Sequence, residues 1–431
     1  MANSTVRPAT SLIGEVALPG DKSISHRAAM IASIAEGETR IFNFAASEDC
    51  ASTLGCLRSL GVDIQRQADS IVIRGAGKHG LRMASQSLDC GNSGTTMRLL
   101  SGILAGQAFE TKLIGDSSLS ERPMRRVIDP LDEMGAQIVS RDGKAPLAIT
   151  GRLPLRSITY APPVASAQIK SCVLLAGLYA EGITTVIEEI ATRDHTERML
   201  RWFGAEVDTN GANISISGES VLKARDLRVP ADISAAAFFI AAAAGLEGSD
   251  ISMQNVGLNP SRIAIVEVLR TLGVDIEISD RSDSNNEPVG SIRVRGGLPT
   301  PKSGQTPVIR GSTIANLIDE VPILAILGTQ LPYGVEIRDA GELRVKESDR
   351  IAAVARNLEK MGASATEYDD GLRIDPSKLH GASIETYGDH RIAMAFAVAG
   401  LFAAGETEIV GSECADVSFP GFFETLDGVV R

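Results

Sequence analysis

The sequence predicts an α/β protein of two domains assembled from repeated units, and three observations carry that prediction. The chain has 431 residues, more than one ordinary compact core accommodates and suited to two domains. A helix–glycine–strand element recurs along it, as in repeat architectures. A second, amphipathic helix–glycine–strand element alternates with the first.

The first element is a polar cluster leading into an Ala/Leu-rich helix, a glycine and a β-branched strand. It reads His26–Phe44, Met97–Asp116, Lys170–Glu189, Ala236–Val256, Val321–Ala340 and His390–Ser412, with starts about 65–85 residues apart. The second reads Leu54–Gln65, Ile128–Val139, Glu197–Asp208, Ile265–Glu277 and Val354–Thr366, with a truncated copy at Phe422–Arg431. Gly61, Gly135, Gly204, Gly273 and Gly362 stand where a left-handed residue closes a helix. Six units over this length divide into two domains of three. Any α/β protein shows some helix–glycine–strand echo, so the pattern by itself fixes the class and not the family.

Hydrophobic residues make up 44% of the chain, ample for two cores. No run of about 18 apolar residues marks a membrane span, and the most apolar stretch, Phe238–Gly245, is too short. The net charge of −12 argues against a general nucleic-acid binder. It leaves room for small anionic substrates in a local basic cleft. Cys50, Cys56, Cys90, Cys172 and Cys414 form no C-x-x-C pair, and the histidines complete no zinc spacing. The expectation is reduced thiols in a cytoplasmic protein. Met1–Ser11 is polar, lacks the apolar core of a signal peptide, and is expected to be a frayed tail.

The entrances of the first-type helices carry the chemistry. They read Asp21-Lys22-Ser23-Ile24-Ser25-His26-Arg27, Gly91-Asn92-Ser93-Gly94-Thr95-Thr96-Met97-Arg98, Ala165-Ser166-Ala167-Gln168, Ala231-Asp232-Ile233-Ser234, Ile318-Asp319-Glu320-Val321 and Tyr387-Gly388-Asp389-His390-Arg391. Small polar residues at a helix start leave backbone N–H groups to face an anion, where the helix dipole adds positive charge. The same residues are preferred N-caps in any helix. Lys22, Arg27, Arg98 and Arg391 separate the two readings. A cation in the first turn opposes the dipole at about 0.3–1 kcal/mol, so the placement points to an anionic ligand. Two basic clusters with alternating charge, Glu121–Arg126 and Glu342–Arg350, fit either a solvated surface or the same ligand.

These motifs together resemble the EPSP synthases. The resemblance rests on Leu18–Arg27, Gly91–Arg98, Glu121–Met124, Ser166–Gln168, Arg344–Arg350 and Asp389–Met394, in order, and spans about Leu12 to Glu424. Ala165–Gln168 and Thr192–Glu197 look closer to the second, often glyphosate-tolerant, class. The resemblance implies the enolpyruvyl transferase fold, a barrel-like pair of inverse α/β domains with three β-α-β-α-β-β units each. Residues 21–231 would form one domain. Residues 1–20 plus 232–431 would form the other, with the active site in a cleft that closes on the substrate.

The implied reaction moves the enolpyruvyl group of phosphoenolpyruvate onto the 5-hydroxyl of shikimate 3-phosphate by addition and elimination, without metal or cofactor. By the same resemblance, Lys22, Ser23, Arg27, Ser166, Ala167, Gln168, Arg193, Asp319 and Lys346 would hold shikimate 3-phosphate. Lys22, Asn92, Gly94, Arg122, Gln168, Arg350 and Arg391 would hold phosphoenolpyruvate. Asp319 is the candidate base at the hydroxyl, Glu347 the candidate acid–base at the methylene carbon, and Lys22 an assistant to both. A monomer is implied as well. Asp319 also suits an N-cap before Val321-Pro322, and Glu347 an ordinary helix-start carboxylate.

Two departures stand out. Asp416–Pro420 lacks a lysine that many members carry there, with Arg431 as a conceivable substitute. Gly94 occupies the position where tolerant enzymes are expected to have alanine, which leans towards glyphosate sensitivity. The rival readings are a UDP-N-acetylglucosamine enolpyruvyl transferase and a two-domain anion-binding protein without turnover.

Overall fold

Repetition of one sheet pattern organises the chain. The computed structural model describes residues 2–298 and 304–431. Among these, five sheets have four strands and one has three, besides a two-stranded pair. In the first, Leu227–Arg228 runs parallel to Glu36–Phe42, which pairs antiparallel with Ser70–Ala76, and that with Asp63–Arg66. The order recurs in the sheet from Leu88–Asp89 to Gln137–Arg141 and in that from Thr159–Tyr160 to Val207–Asn210. It recurs again with Val308–Ile309, Val335–Ile337, Gly371–Ile374 and Ala365–Tyr368.

The chain divides into two compact units. One comprises Gly20–Pro230 with Asp283–Glu287, the other Met1–Pro19, Ala231–Ser282 and Pro288–Arg431. The short segment Asp283–Glu287 thus groups with the N-terminal half of the sequence, whereas expectation put all of 232–431 together. Met1 and residues 299–303, which the expected 1–20 and 232–431 include, lie outside the described residues. Each unit closes on itself through a strand remote in sequence. Leu227–Arg228 does so in the first. In the second, Ile13–Glu15 runs parallel to Asp250–Ser252, and Asn3–Val6 pairs antiparallel with Thr407–Val410. The N-terminal segment is therefore not a frayed tail. Val6 is buried and the ladder satisfies the backbone that a tail would leave to water.

Each unit has its own apolar core. Lys22–Ile34, Gly94–Ala105 and Ala167–Gly177 supply buried helices in one; Ile233–Gly245, Val321–Gly328 and His390–Phe402 do so in the other. Their Ala-, Leu- and Gly-rich sequences are apolar nearly all round, as a helix surrounded by protein requires. A Cβ on Gly102 would stand 2.2 Å from the Cys172 carbonyl oxygen. Only glycine permits that approach of Gly94–Ala105 to Ala167–Gly177. The second-type helices are amphipathic and partly exposed. Gly61, Gly135, Gly204, Gly273 and Gly362 after them all take positive φ, from 80° to 103°, as the helix-closing reading requires. The truncated sixth copy is a helix, Phe422–Val429. No described helix is long and apolar enough to cross a membrane.

Candidate active site

Because the buried helices of a unit pack side by side, their N-terminal turns meet. In the Gly20–Pro230 unit, three side-chain links show it. His26 Nδ1 lies 2.7 Å from Thr53 Oγ1, which lies 2.6 Å from Thr96 Oγ1, joining the first helix to the second. Arg98 Nη1 donates to Gln168 Oε1 at 2.5 Å, and Gln168 Nε2 to Thr95 Oγ1 at 3.0 Å, joining the second to the third. Arg27 Nη2 donates to Ser171 Oγ at 2.8 Å, joining the third to the first. Asp21, Ser93 and Ser166 cap the three helices with side-chain bonds to Ile24, Thr96 and Ile169 N–H groups. Ser23 and Ala167 lie in these first turns, partly exposed.

The cations expected at these turns are present and held. Lys22 Nζ is 2.9 Å from Asp49 Oδ2, with both side chains mostly buried. Arg122 is buried and donates to Asn92 Oδ1 at 2.7 Å and to the Asn92 carbonyl at 3.3 Å. That excludes the solvated-surface reading for Arg122 and places it on the Gly91–Gly94 turn. Arg193 stands in the partly exposed loop before the helix His195–Trp202. Burial pushes the His26 imidazole well below its ordinary pKa, and Lys22 and Arg27 push it further. The buried histidine is therefore held neutral.

The other unit gathers its own N-terminal turns. Arg391 Nη1 donates to the Asp319 carbonyl at 2.7 Å, and Ser234 Oγ donates to Glu320 Oε1. Asp319 lies in the 3₁₀ turn Ile318–Glu320 and is not an N-cap; the cap position of Val321–Gly328 is Glu320, whose side chain makes no capping bond. Instead, the Asp319 carboxylate faces cations: Arg350 Nη1 at 3.5 Å, Lys346 Nζ at 3.9 Å and Arg391 Nη2 at 3.9 Å. Glu347 precedes the helix Arg350–Lys360 and accepts from Arg350 Nη2 at 2.6 Å.

Arg350 is fixed from behind by Asp389, whose Oδ2 accepts from Nε at 2.8 Å. Burial opposes the Arg350 charge, but Asp389, Glu347 and Asp319 outweigh it and its pKa rises. Burial would likewise raise Asp389, and Arg350 overrides it, holding the carboxyl below its ordinary value. Burial lowers the Lys346 ammonium while Asp319 draws it back up. Thus a carboxylate of moderate exposure sits among three cations in a partly desolvated pocket, an arrangement that binds anions and moves protons.

The structure brings Lys22, Ser23, Arg27, Asn92, Gly94, Arg122, Ser166, Ala167 and Gln168 to one cluster. It brings Asp319, Lys346, Glu347, Arg350 and Arg391 to another. Arg431 is not recruited: it is exposed, and its Nη1 donates to the Val430 carbonyl at 2.8 Å and the Gly428 carbonyl at 3.3 Å. Arg344, in the same run as Arg350, serves the surface, pairing with Asp349 and Glu367. Sequence reasoning missed Asp49, the partner of Lys22, and the holding role of Asp389. An acidic residue one helix away from a motif lysine carries no local signal. Asp389 was visible only as a cap.

No group of three or more His, Cys, Asp or Glu among the described residues is disposed to hold a metal. Burial raises the Cys50 thiol to about 12, which disfavours its reactive thiolate.

Comparison with known proteins agrees with this geometry. Residues 6–426 match the family EPSP synthase (3-phosphoshikimate 1-carboxyvinyltransferase). A 3-phosphoshikimate 1-carboxyvinyltransferase of Koribacter versatilis is 50% identical over 432 residues, covering 100% of both chains. One from Solibacter usitatus is 50% identical over 99% of each chain. The structure of EPSP synthase from Acinetobacter baumannii superposes with a TM-score of 0.87 at 42% identity, covering 99% of this chain and 98% of that one. The enolpyruvyl transferase NikO of Streptomyces tendae shares the fold, with a TM-score of 0.78 at 18% identity. The chain belongs to the EPSP synthase family, the 3-phosphoshikimate 1-carboxyvinyltransferases.

Proposed function

We propose that this protein transfers the enolpyruvyl group of phosphoenolpyruvate to the 5-hydroxyl of shikimate 3-phosphate, releasing phosphate. The observation that carries the reading is Asp319 set among Lys346, Arg350 and Arg391 at converging helix N-termini. Each substrate bears a carboxylate and a phosphate. A charge pair at about 4 Å contributes roughly 4 kcal/mol at an effective dielectric of about 20, before desolvation.

In this assignment both clusters serve one reaction. Lys22, Ser23, Arg27, Ser166, Ala167, Gln168 and Arg193 hold shikimate 3-phosphate, with Asp319 and Lys346. Arg122, Arg350 and Arg391 take phosphoenolpyruvate with Asn92, Gly94, Gln168 and Lys22. Asp319 removes the hydroxyl proton as the oxygen attacks C2, and C3 takes a proton from Glu347. The phosphate then leaves from C2 with the bonding pair and takes up the proton held by Asp319, and C3 returns its proton to Glu347. Lys22 assists by neutralising charge. Ala165–Gln168 and Thr192–Glu197 support the second class of the family. We assign the protein to the cytoplasm, as a monomer.

The test is phosphate release from phosphoenolpyruvate with shikimate 3-phosphate, run beside UDP-N-acetylglucosamine as acceptor. Release that requires shikimate 3-phosphate is expected. Release only with the nucleotide sugar, or binding of both substrates without release, overturns the reading.

A further inference from the structure

We infer that Thr196 and Ser171 form a hydroxyl pair that positions the Arg27 guanidinium, and through it sets the affinity for shikimate 3-phosphate. The inference rests on the reading of Arg27 as a ligand of that substrate.

Arg27, Ser171 and Thr196 come from the helices Lys22–Ile34, Ala167–Gly177 and His195–Trp202, and all three are buried, the two hydroxyl residues completely. Arg27 Nε donates to Thr196 Oγ1 at 2.7 Å, Nη2 to Ser171 Oγ at 2.8 Å, and Nη1 to the Ser23 carbonyl at 2.9 Å. These three acceptors are neutral, and they hold all three guanidinium nitrogens, so the plane of the fork is fixed. Arg350 is held by carboxylates instead. Fixing the fork in this way presents it to an anionic ligand in one orientation.

The proton directions close without ambiguity. Ser171 Oγ donates to the Ala167 carbonyl at 2.5 Å. Its only hydrogen is then used, so in the 2.6 Å contact between the two hydroxyls Thr196 donates and Ser171 accepts. Each hydroxyl also accepts one N–H from Arg27. The chain of bonds ends on the first turn of the helix that begins with Ser166–Gln168, so Arg27 and that turn are set together.

A second tie keeps the hydroxyl pair in register. The neighbours of Ser171 and Thr196 in sequence are Lys170 and Glu197, and Lys170 Nζ lies 2.7 Å from Glu197 Oε1 and 2.7 Å from Glu188 Oε2. All three side chains are nearly inaccessible. The ion pair bolts the two helices one residue away from the hydroxyls. Thr196, β-branched and stiff at χ1 in a helix, presents its oxygen from a restricted set of rotamers. Thr196 and Ser171 are thus positioning residues that act through Arg27.

The test is the dissociation constant of shikimate 3-phosphate alone, by calorimetry, with the Michaelis constants of both substrates. Thr196→Val keeps the shape and removes the acceptor of Nε. It is expected to weaken shikimate 3-phosphate binding about 10-fold or more, given the usual strength of a hydrogen bond to a charged group, and to leave the Michaelis constant for phosphoenolpyruvate within about 2-fold. Thr196→Ser restores the oxygen and is expected to recover most of the affinity.

Unchanged shikimate 3-phosphate affinity in folded Thr196→Val overturns the inference. So does an equal rise in both Michaelis constants, which marks general loosening, or failure of Thr196→Ser to recover. Should Thr196→Val not fold, the same split read on Ser171→Ala decides. Arg27→Ala separates the two levels. If it leaves the affinity intact, or if the wild-type protein does not bind shikimate 3-phosphate, the underlying reading of Arg27 fails. If Arg27→Ala weakens binding and Thr196→Val does not, only the positioning role fails.

Discussion

Asp389 and Arg350 form a buried pair in which one carboxylate serves two structures. Its Oδ2 accepts from Arg350 Nε at 2.8 Å, and its Oδ1 accepts from the Arg391 backbone N–H at 2.9 Å as the cap of His390–Phe402. Arg350 is 2% exposed and Asp389 0%, so neither charge is solvated by bulk water. The pair locks the orientation of Arg350 to the helix that carries Arg391.

Asp389→Asn tests this lock. Glu347 and Asp319 still face Arg350 when Asp389 loses its charge, so the cost is that of a weakened hydrogen bond to a charged group, about 1.5–3 kcal/mol. The expected outcome is a loss of that order in chemical denaturation, with a raised Michaelis constant for phosphoenolpyruvate. Because Asp389 has a lowered pKa, its contribution is fully present above the ordinary carboxylate range. It is lost only as pH falls through the lowered value.

Asp319→Asn and Glu347→Gln separate chemistry from binding. Each removes a proton acceptor at nearly constant shape, and turnover is expected to fall by about 10²–10⁴-fold. Asp319→Asn also removes the negative charge that faces Lys346, Arg350 and Arg391. The affinity for phosphoenolpyruvate should therefore hold or rise while turnover falls. A turnover number within 3-fold of wild type, an arbitrary but roughly sub-kcal/mol margin, would remove Asp319 from the chemistry.

His26 predicts a pH dependence of stability. It is fully buried, its Nε2 lacks a hydrogen-bond partner, and its folded pKa lies well below the ordinary 6.5. Below pH 6.5 the unfolded chain binds a proton that the folded protein refuses, so stability falls as pH falls, at up to about 1.4 kcal/mol per pH unit. His26→Asn should flatten this slope. Denaturation measured from pH 7 to 5 on both proteins, with parallel slopes, would contradict the assignment.

Gly94→Ala probes the turn at Asn92–Gly94. The added Cβ would lie 3.3 Å from Arg98 Nη1 and 3.4 Å from Arg122 Nη1. Both neighbours are ends of flexible side chains, so the variant should fold while displacing Arg122 by a few tenths of an ångström. The wild-type protein is expected to be inhibited by glyphosate, and the variant much less so, with a smaller rise in the Michaelis constant for phosphoenolpyruvate. Equal inhibition of both proteins would contradict the role given to Gly94.

Much of this was written locally. The alternating elements and their closing glycines follow from helix periodicity and from the need for positive φ, which neighbouring residues impose. The motif cations also announce themselves, because a lysine or arginine in a helix's first turn is unfavourable without an anion. What local sequence does not hold is the identity of partners. Ser171 and Thr196 read as ordinary small residues in helices, and their meeting at Arg27 depends on three helices packing side by side. The tail Asn3–Val6 looked unstructured because its ladder partner, Thr407–Val410, lies some 400 residues away.

The sequence by itself determined the repeat, the family and the residue types at the helix entrances, since each depends on spacing along the chain. Tertiary structure alone decided which charges face one another: Asp319 among its cations and not capping a helix, Arg431 turned back on its own carbonyls, Arg350 locked by Asp389. Those outcomes depend on burial and on distances of a few ångströms between remote segments, where Coulomb and desolvation energies of several kcal/mol are set.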